Sequence, residues 1–295
     1  MRSTLSARPF AVPRLDTAWL REKEIAFGLV VVVVLGVLAL FAPLVAPHDP
    51  NAQQLAYAYQ PPAWMAGGTG EHLLGTDSLG RDILSRLVYG ARVALFVAVV
   101  ATLFSAVVGV TVGLLAGYYR GWVDEVVMRL VDMWMSFPPV LLAVVLMALL
   151  GVGVLKVALA IILVDWTRFA RVIRGEVFNI REQDFVEAAR AAGMGNLRIV
   201  WEEVFPNVVP LLLVLASLEM GLAIVIEALL SFVGLGVKAS TPSWGSMISE
   251  GLAYFRVAWW GLIFPMAFLI VSVFAFNLLG DGLRKRLDPR MMLIG

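Results

Sequence analysis

The sequence predicts an all-α integral membrane protein with about six transmembrane helices. Of its 295 residues, 60% are hydrophobic and only 15% are charged, and the mean hydropathy is +0.87. Soluble domains are closer to half apolar and a quarter charged. The apolar excess is concentrated in blocks of about 20 residues or more, the length that a helix needs to cross the hydrocarbon core. The bilayer is therefore the expected solvent for most of the chain.

The first apolar block runs from Ile25 to Val45. It is too long for a cleaved signal peptide and no small-residue cleavage site closes it, so we interpret it as an uncleaved signal anchor. A polar stretch follows, and near its end Ile83, Leu84, Leu87 and Val88 share one helical face, which predicts a short amphipathic helix. The further predicted spans cover residues 93–118, 126–150, 151–172, 208–235 and 258–279.

Lys156 and Asp165 interrupt the fourth span, which is the weakest of the six. The domain boundaries that follow are a cytosolic N-terminal segment (1–24), the first span with its extracytoplasmic segment (25–92), a transmembrane domain (93–280) with a cytosolic loop at about 174–207, and a cytosolic tail (281–295). Lys and Arg residues concentrate at both ends and in the 168–198 stretch, which predicts cytosolic N- and C-termini and an even number of spans. A net charge of +1 indicates no nucleic-acid partner.

Several kinds of chemistry are missing from the sequence. No cysteine is present, which excludes disulfides, zinc-thiolate sites and cysteine nucleophiles. No lysine follows a glycine, so there is no phosphate-binding loop for a nucleotide. The only histidines, His48 and His72, are too few and too far apart in sequence for a histidine-rich metal site, so no metal is expected. An enzyme acting alone is not predicted, and any energy source must be another chain.

The polar stretch before the fifth span contains a helix-turn-helix signature. Asp184 followed by Glu187 predicts a helix that starts with a capping box, and the alanines at 188, 189, 191 and 192 favour helix with almost no side chain. Gly193 can adopt the left-handed conformation that ends a helix, and Asn196 can cap a second short helix. The alanine-lined face would let another protein approach closely, with Glu187 and Arg190 as polar contacts at its rim. The alternative is an amphipathic connector on the membrane surface.

These residues carry a family resemblance. Glu187-Ala188-Ala189, followed by Gly193 and Pro206, resembles the EAA loop of bacterial ATP-binding-cassette (ABC) importer permeases. Glu203 and Phe205 depart from the general pattern, which has Ile and Leu there. Other stretches resemble the second, C-type permease of the dipeptide, oligopeptide and nickel importers: residues 74–86, 227–236, 241–245, 277–284 and 287–290. The resemblance does not extend to residues 1–20.

The resemblance implies a type I ABC importer permease fold, with a signal-anchor helix plus a five-helix core, in the bacterial cytoplasmic (inner) membrane. It implies alternating access for peptides, with a nickel or other small-solute permease as the alternative. The implied partners are a paralogous permease, two ATPases that carry ATP and Mg, a substrate-binding protein and membrane lipid, with no cofactor on this chain. The implied ATPase-coupling residues are Asp184, Glu187, Ala188, Ala189, Arg190, Gly193 and Asn196. A secondary transporter or channel subunit and a membrane scaffold are competing interpretations.

Charges inside the predicted spans need partners or water, because an ionised side chain at the bilayer centre costs about 2.5–3.5 kcal/mol. Glu219 and Glu227 therefore either line a translocation path or make buried structural hydrogen bonds. Asp165 and Arg168, one helical turn apart, are expected to form an ion pair. On the outer side, His48, Asp77, Arg81 and Asp82 either meet a binding protein or stabilise their own loop.

Two features concern helix packing. Ser105, Gly109, Gly113 and Gly117 recur every four residues, as in helices that pack closely. This face serves either a permease dimer or packing within one chain. The Pro138-Pro139 pair frees backbone groups and predicts a kink or an unwound turn in the third span, which is either a static kink or a gate hinge.

Overall fold

A computed structural model describes residues 23–287, and within that range the fold is helical with no strand beyond one isolated bridge between Thr76 and Asp82. The helices are α1 Lys23–Leu40, α2 Ala42–Val45, α3 Ile83–Tyr119, α4 Gly121–Met135, α5 Pro139–Leu150, α6 Val154–Arg181, α7 Asp184–Ala191, α8 Asn196–Ile199, α9 Phe205–Phe232, α10 Trp244–Ala253 and α11 Trp260–Leu287. A 3₁₀ turn spans Leu55–Tyr57 and a π-helical turn spans Val200–Val204. Most of the predicted N-terminal segment and part of the predicted tail lie outside the described residues.

Each of the six predicted apolar segments corresponds to a helix or a helix pair, so the all-α prediction is confirmed. Among the described residues, three helices are long and apolar enough to cross a membrane, and the bent α4–α5 pair makes a fourth if it counts as one span. The apolar part of α1, Glu24–Leu40, is shorter. The 28-residue α6 is less apolar because it carries Asp165 and several arginines.

The second span begins ten residues earlier than predicted. The expected separate amphipathic helix at Ile83–Val88 is wrong, because α3 runs without a break for 37 residues from Ile83. Asp82 caps it, with its Oδ2 accepting a hydrogen bond from the Ser85 backbone N–H at 2.7 Å. Ile83, Leu87 and Ala91 then bury one continuous face, which the apolar residues after Arg92 extend.

The small residues of α3 pack against α6 of the same chain. A Cβ added at Gly109 would lie 2.4 Å from the Phe169 Cβ, and one at Gly113 would lie 2.7 Å from the Ala170 carbonyl oxygen. At Gly117 an added Cβ would lie 2.8 Å from the Val177 Cβ. This close approach of two backbones settles the open alternative in favour of packing within one chain.

The third span is broken where the proline pair predicts it. The axes of α4 and α5 meet at 83°, with Ser136 to Pro138 between them. Pro138 has an extended ψ of 125°, the conformation favoured for a residue that precedes a proline. The predicted interruption is therefore confirmed as a sharp bend.

The helix after the cytosolic loop is longer than predicted. Residues Asn196–Phe232 form one continuous 37-residue helix in which α8, the π-helical turn and α9 follow one another. At about 1.5 Å per residue it is roughly 55 Å long. Pro206 and Pro210 lie in its first half and do not end it.

A compact cap covers the N-terminal end of α3, and we define it as residues 46–82 together with α10. Two tryptophans attach it to the helices. The Trp244 Nε1–H donates to the Leu87 carbonyl at 3.0 Å, and the Trp260 Nε1–H donates to the Thr76 carbonyl at 3.0 Å. Both indole rings are buried, so the cap and the α3 end form one core with α11.

Candidate functional site

The EAA segment, defined as residues 184–196, lies between α6 and the long α8–α9 helix, at the opposite end of α3 from the cap. Its first helix does not start with the predicted capping box. Gln183 occupies the N-cap position, and its side chain makes no capping hydrogen bond. Asp184 is therefore already the first helical residue. The reason is that α6 continues to Arg181, which leaves only Glu182 and Gln183 for the turn. Asp184 and Glu187 still stabilise the first turn of α7 through the helix dipole.

Helix α7 buries one side and exposes the other. Val186 and Ala189 are buried against Ile173 and Val177 of α6 and against Ile199. Glu187, Ala188, Ala191 and Ala192 are exposed. The exposed surface is therefore an alanine face with the Asp184 and Glu187 carboxylates beside it, while Ala189 belongs to the inner face.

The predicted helix end at Gly193 is confirmed. Gly193 has a φ of +82°, its N–H donates to the Arg190 carbonyl at 2.9 Å, and the Met194 N–H donates to the Ala189 carbonyl at 3.1 Å. These are the two bonds of a Schellman motif, which needs a left-handed residue at this position. A Cβ on Gly193 would meet nothing within 4 Å, so the requirement for glycine comes from the backbone alone.

Asn196 does not cap the second helix as predicted, because Gly195 occupies the N-cap position. Instead the Asn196 Oδ1 accepts a hydrogen bond from the Tyr118 hydroxyl at 3.1 Å. The Arg190 guanidinium lies 5.4 Å from the centre of the same ring, and Arg181 donates to the Tyr118 carbonyl. Tyr118 thus connects the end of α3 to both helices of the EAA segment.

Sequence reasoning missed Tyr118. Its signal was modest: a tyrosine pair, Tyr118-Tyr119, that closes an apolar span at a predicted membrane edge. Such residues usually anchor a helix at the interface. Here only the fold reveals that one of the two rings faces the EAA segment.

A partly buried ion pair joins the two helices that flank the EAA segment. Arg168 of α6 donates to both carboxylate oxygens of Glu219 on α9, at 2.9 and 3.0 Å. The predicted pair between Asp165 and Arg168 is therefore wrong, because the guanidinium reaches across to α9. Asp165 is only 4% exposed and forms no ion pair within residues 23–287.

Glu227 is more deeply buried, with 1% of its surface exposed. Its Oε1 accepts a hydrogen bond from the Ser231 hydroxyl one turn later, at 2.7 Å. This local bond fits the structural alternative for Glu227. Glu219, by contrast, holds two helices together.

The charged residues of the cap mostly bind one another. Asp77 accepts from Arg81 Nε at 2.7 Å and from Arg86, and both arginines also reach Glu250 of α10, at 2.7 and 2.8 Å. Asp82 is the N-cap residue of helix α3 and is 2% exposed. Because Asp77, Arg81 and Asp82 are engaged inside the chain, the geometry favours the loop-stabilising alternative over direct contact with a binding protein.

The two histidines are close together in the fold. The sequence separation of His48 and His72 led us to expect them far apart, but their ring centroids are 4.8 Å apart and both rings lie beside Asp82. The polar stretch between them folds back on itself, which sequence spacing does not reveal.

Comparison with known proteins agrees with these features. Residues 109–293 match the family described as "Binding-protein-dependent transport system inner membrane component", and residues 20–62 match the "N-terminal TM domain of oligopeptide transport permease C". The chain is similar to the di/tripeptide transport system permease protein DppC of Pseudomonas aeruginosa, with 41% identity over 90% of this chain and 87% of the relative. It is also similar to the dipeptide transport system permease protein DppC of Escherichia coli K12, with 43% identity over 92% and 90%.

Among solved structures, the fold resembles a chain of the inward-facing MetNI methionine ABC transporter. The TM-score is 0.54 at 20% identity, and the match covers 69% of this chain and 96% of that one. This likeness supports the type I importer permease fold. Since the family matches well over half of the sequence and its relatives align over nearly their whole length, the chain belongs to the binding-protein-dependent transport system inner membrane components, multi-pass permeases of the inner membrane.

Proposed function

We propose that this chain is one of two permease subunits of an ABC importer that moves di- and tripeptides into the cell. The observation that carries the proposal is the identity of about 40% along nearly the whole chain to permeases named for dipeptide and di/tripeptide transport. Because these relatives are peptide permeases, peptide import is favoured over the nickel or small-solute alternative. Family membership also favours an importer over a secondary transporter, a channel subunit or a scaffold.

The EAA segment is proposed as the docking surface for an ATPase. Its alanine face is exposed and carries no bulky side chain, so a partner can approach the α7 backbone closely. Glu187 lies at the edge of this face for a polar contact, whereas Arg190 packs toward Tyr118. ATP and Mg would be bound by two separate ATPase subunits, and this chain would bind no cofactor for transport.

Movement at the docking surface would reach the membrane through two routes. Asn196 begins the continuous helix that carries Glu219 and Glu227, so α9 moves with the end of the EAA segment. Asn196 and Arg190 also contact Tyr118 at the end of α3. ATP can shift the permease only if closure of the ATPases favours one arrangement of these helices over the other.

A paralogous permease would complete the translocation path, and an extracytoplasmic binding protein would deliver the peptide to the cap side. Both termini would be cytosolic. The absence of cysteine makes the orientation testable: Ala188→Cys or Ala239→Cys gives a single thiol at the EAA segment or near the cap, respectively. In intact cells, a membrane-impermeant maleimide should label only the second.

The function itself is tested by reconstituting the chain with its co-expressed partner subunits in liposomes. We expect uptake of a labelled dipeptide that requires ATP and the binding protein and that excess tripeptide, but not free alanine, inhibits. Import of Ni²⁺ without import of peptide would replace the peptide assignment. Peptide uptake by this chain without any ATPase would overturn the ABC importer assignment.

A further inference from the structure

We propose that His48, His72 and Asp82 form a binding site for a divalent transition-metal ion, such as zinc, inside the cap. The chain has only two histidines in 295 residues, and the fold brings both to one carboxylate. The His72 Nδ1 lies 3.0 Å from the Asp82 Oδ1, and the His48 Nδ1 lies 3.9 Å from the same oxygen. Two imidazoles and a carboxylate are the ligand types that zinc and its neighbours in the first transition row prefer, whereas calcium and magnesium prefer oxygen ligands alone.

The distances suit a shared ion. One ligand atom from each residue lies within 4.8 Å of the others. Ligand atoms about 2.0–2.1 Å from a tetrahedral zinc lie roughly 3.3 Å apart. The two distances to Asp82 bracket that value, so a small movement of His48, the most exposed of the three side chains, would complete the geometry.

The charges and hydrogen bonds of the cluster point the same way. The Asp82 carboxylate is buried, and its ion-pair partners within the described residues are only the two histidines, since Arg81 and Arg86 bind Asp77 and Glu250. A buried carboxylate is costly unless a cation or hydrogen bonds compensate it. The His48 Nδ1 is itself buried and has no hydrogen-bond partner in the described part of the chain. The Asp82 Oδ1 shares a hydrogen bond with the His72 Nδ1 at 3.0 Å. A bound cation would take the place of the proton between these two atoms and would give the His48 Nδ1 a partner.

The surroundings provide support and access. The second oxygen of Asp82 accepts the Ser85 backbone N–H, which orients the carboxylate as second-shell partners orient metal ligands. His48 also borders an open cavity of about 600 Å³ lined by Asn51, Tyr89 and Thr241. Water from this cavity can reach the side of the ion that the protein leaves open. The three ligands come from the segment after α2, from the loop and from the start of α3, so the ion would tie these three parts of the cap together.

The test uses the full-length chain, purified in detergent with an affinity tag that contains no histidine and stripped with a chelator. Isothermal titration calorimetry with Zn²⁺ should show that one ion binds to each chain. His48→Gln and His72→Gln should each weaken binding at least tenfold. Asp82→Asn should also weaken it, and because asparagine caps helices as well as aspartate does, the start of α3 is preserved. Glu71→Gln, an exposed neighbour of His72, is the matched control and should bind Zn²⁺ normally.

X-ray absorption spectroscopy at the zinc edge is a second test, which identifies the ligands of the bound zinc without any variant. Because no other histidine exists in the chain, imidazole ligation of the bound zinc would assign the site. The proposal is overturned if the wild-type chain binds no stoichiometric zinc or if the bound zinc lacks imidazole ligands. It is also overturned if the His48→Gln variant binds zinc as tightly as the wild type. Because His48 is partly exposed, this variant should fold, and circular dichroism checks that it does.

Discussion

The cap and the EAA segment occupy opposite ends of α3, and they differ in where their polar side chains point. In the cap, Asp77 and Arg81 face inward and form an ion-pair network with Arg86 at the start of α3, and the three side chains are 11%, 8% and 3% exposed. In the EAA segment, Asp184 and Glu187 face outward with the alanine face beside them. The difference agrees with the proposal that the EAA segment docks a partner, whereas the inward-facing charges of the cap stabilise its own fold. Substitutions should therefore affect stability at the cap and coupling at the EAA segment.

The largest expected effect on stability is at the centre of the cap. Asp77→Ala leaves the buried Arg81 and Arg86 with only the partly exposed Glu250 as a shared carboxylate, and breaking a buried ion pair costs about 3–5 kcal/mol. The midpoint of thermal unfolding in detergent should fall sharply. Glu250→Gln is the control, because its side chain is 38% exposed and a glutamine amide oxygen can still accept hydrogen bonds from both arginines. Equal effects of the two substitutions would contradict the description of the cap as a buried network.

Gly193→Val should have a smaller effect on stability and a strong one on transport. A left-handed backbone costs a non-glycine residue about 1–2 kcal/mol, so the end of α7 would rearrange while the membrane helices stay folded. Peptide uptake should be lost in reconstituted liposomes. Gly175→Val is the matched control, since Gly175 lies in α6 with no positive φ and open space around its Cβ. Normal uptake by Gly193→Val with normal ATPase binding would count against the coupling role of the EAA segment.

Tyr118→Phe removes the hydrogen bond to Asn196 but keeps the ring beside Arg190. We expect a loss of about 0.5–1.5 kcal/mol, the usual contribution of one hydrogen bond, and partly uncoupled ATP hydrolysis. The neighbouring Tyr119→Phe, whose exposed hydroxyl has no hydrogen-bond partner recorded in residues 23–287, should behave as wild type. A double-mutant cycle with Asn196→Ala measures the interaction directly, and full additivity would show that the two side chains do not communicate.

The smallest effect on stability is expected for Ala188→Trp. Because Ala188 is exposed, the unfolding free energy should change by no more than about 0.5 kcal/mol. The bulky ring should nevertheless block close approach of a partner, so co-purification of the ATPases should be lost. Ala239→Trp introduces the same side chain at an exposed position near the cap and should leave that co-purification intact. Retention of the ATPases by Ala188→Trp would place their docking surface elsewhere.

Most local features of this fold follow from sequence, whereas contacts between distant segments do not. The local exceptions are the caps predicted at Asp184 and Asn196, since each helix has its N-cap one residue earlier. Apolar length predicts the helices, the proline pair predicts the α4–α5 bend, and Gly193 predicts the end of α7, since each depends on neighbouring residues. The Arg168–Glu219 pair depends on how α6 faces α9, so spacing along α6 wrongly favoured Asp165 as the partner. The convergence of His48 and His72 depends on the path of the whole loop between them. The contact between Tyr118 and Asn196 joins two elements whose residues are 78 positions apart in sequence.

The continuous helix from Asn196 to Phe232 has a consequence for where bending can occur. Helices bend sharply at prolines and π-helical turns, and in this helix the π-helical turn at Val200–Val204, Pro206 and Pro210 all lie in the first 15 of its 37 residues. The remaining turns contain none of these features. Any bend in this helix is therefore expected between Asn196 and Pro210. The straight part beyond Pro210 carries Glu219, whose contact with Arg168 holds it to α6.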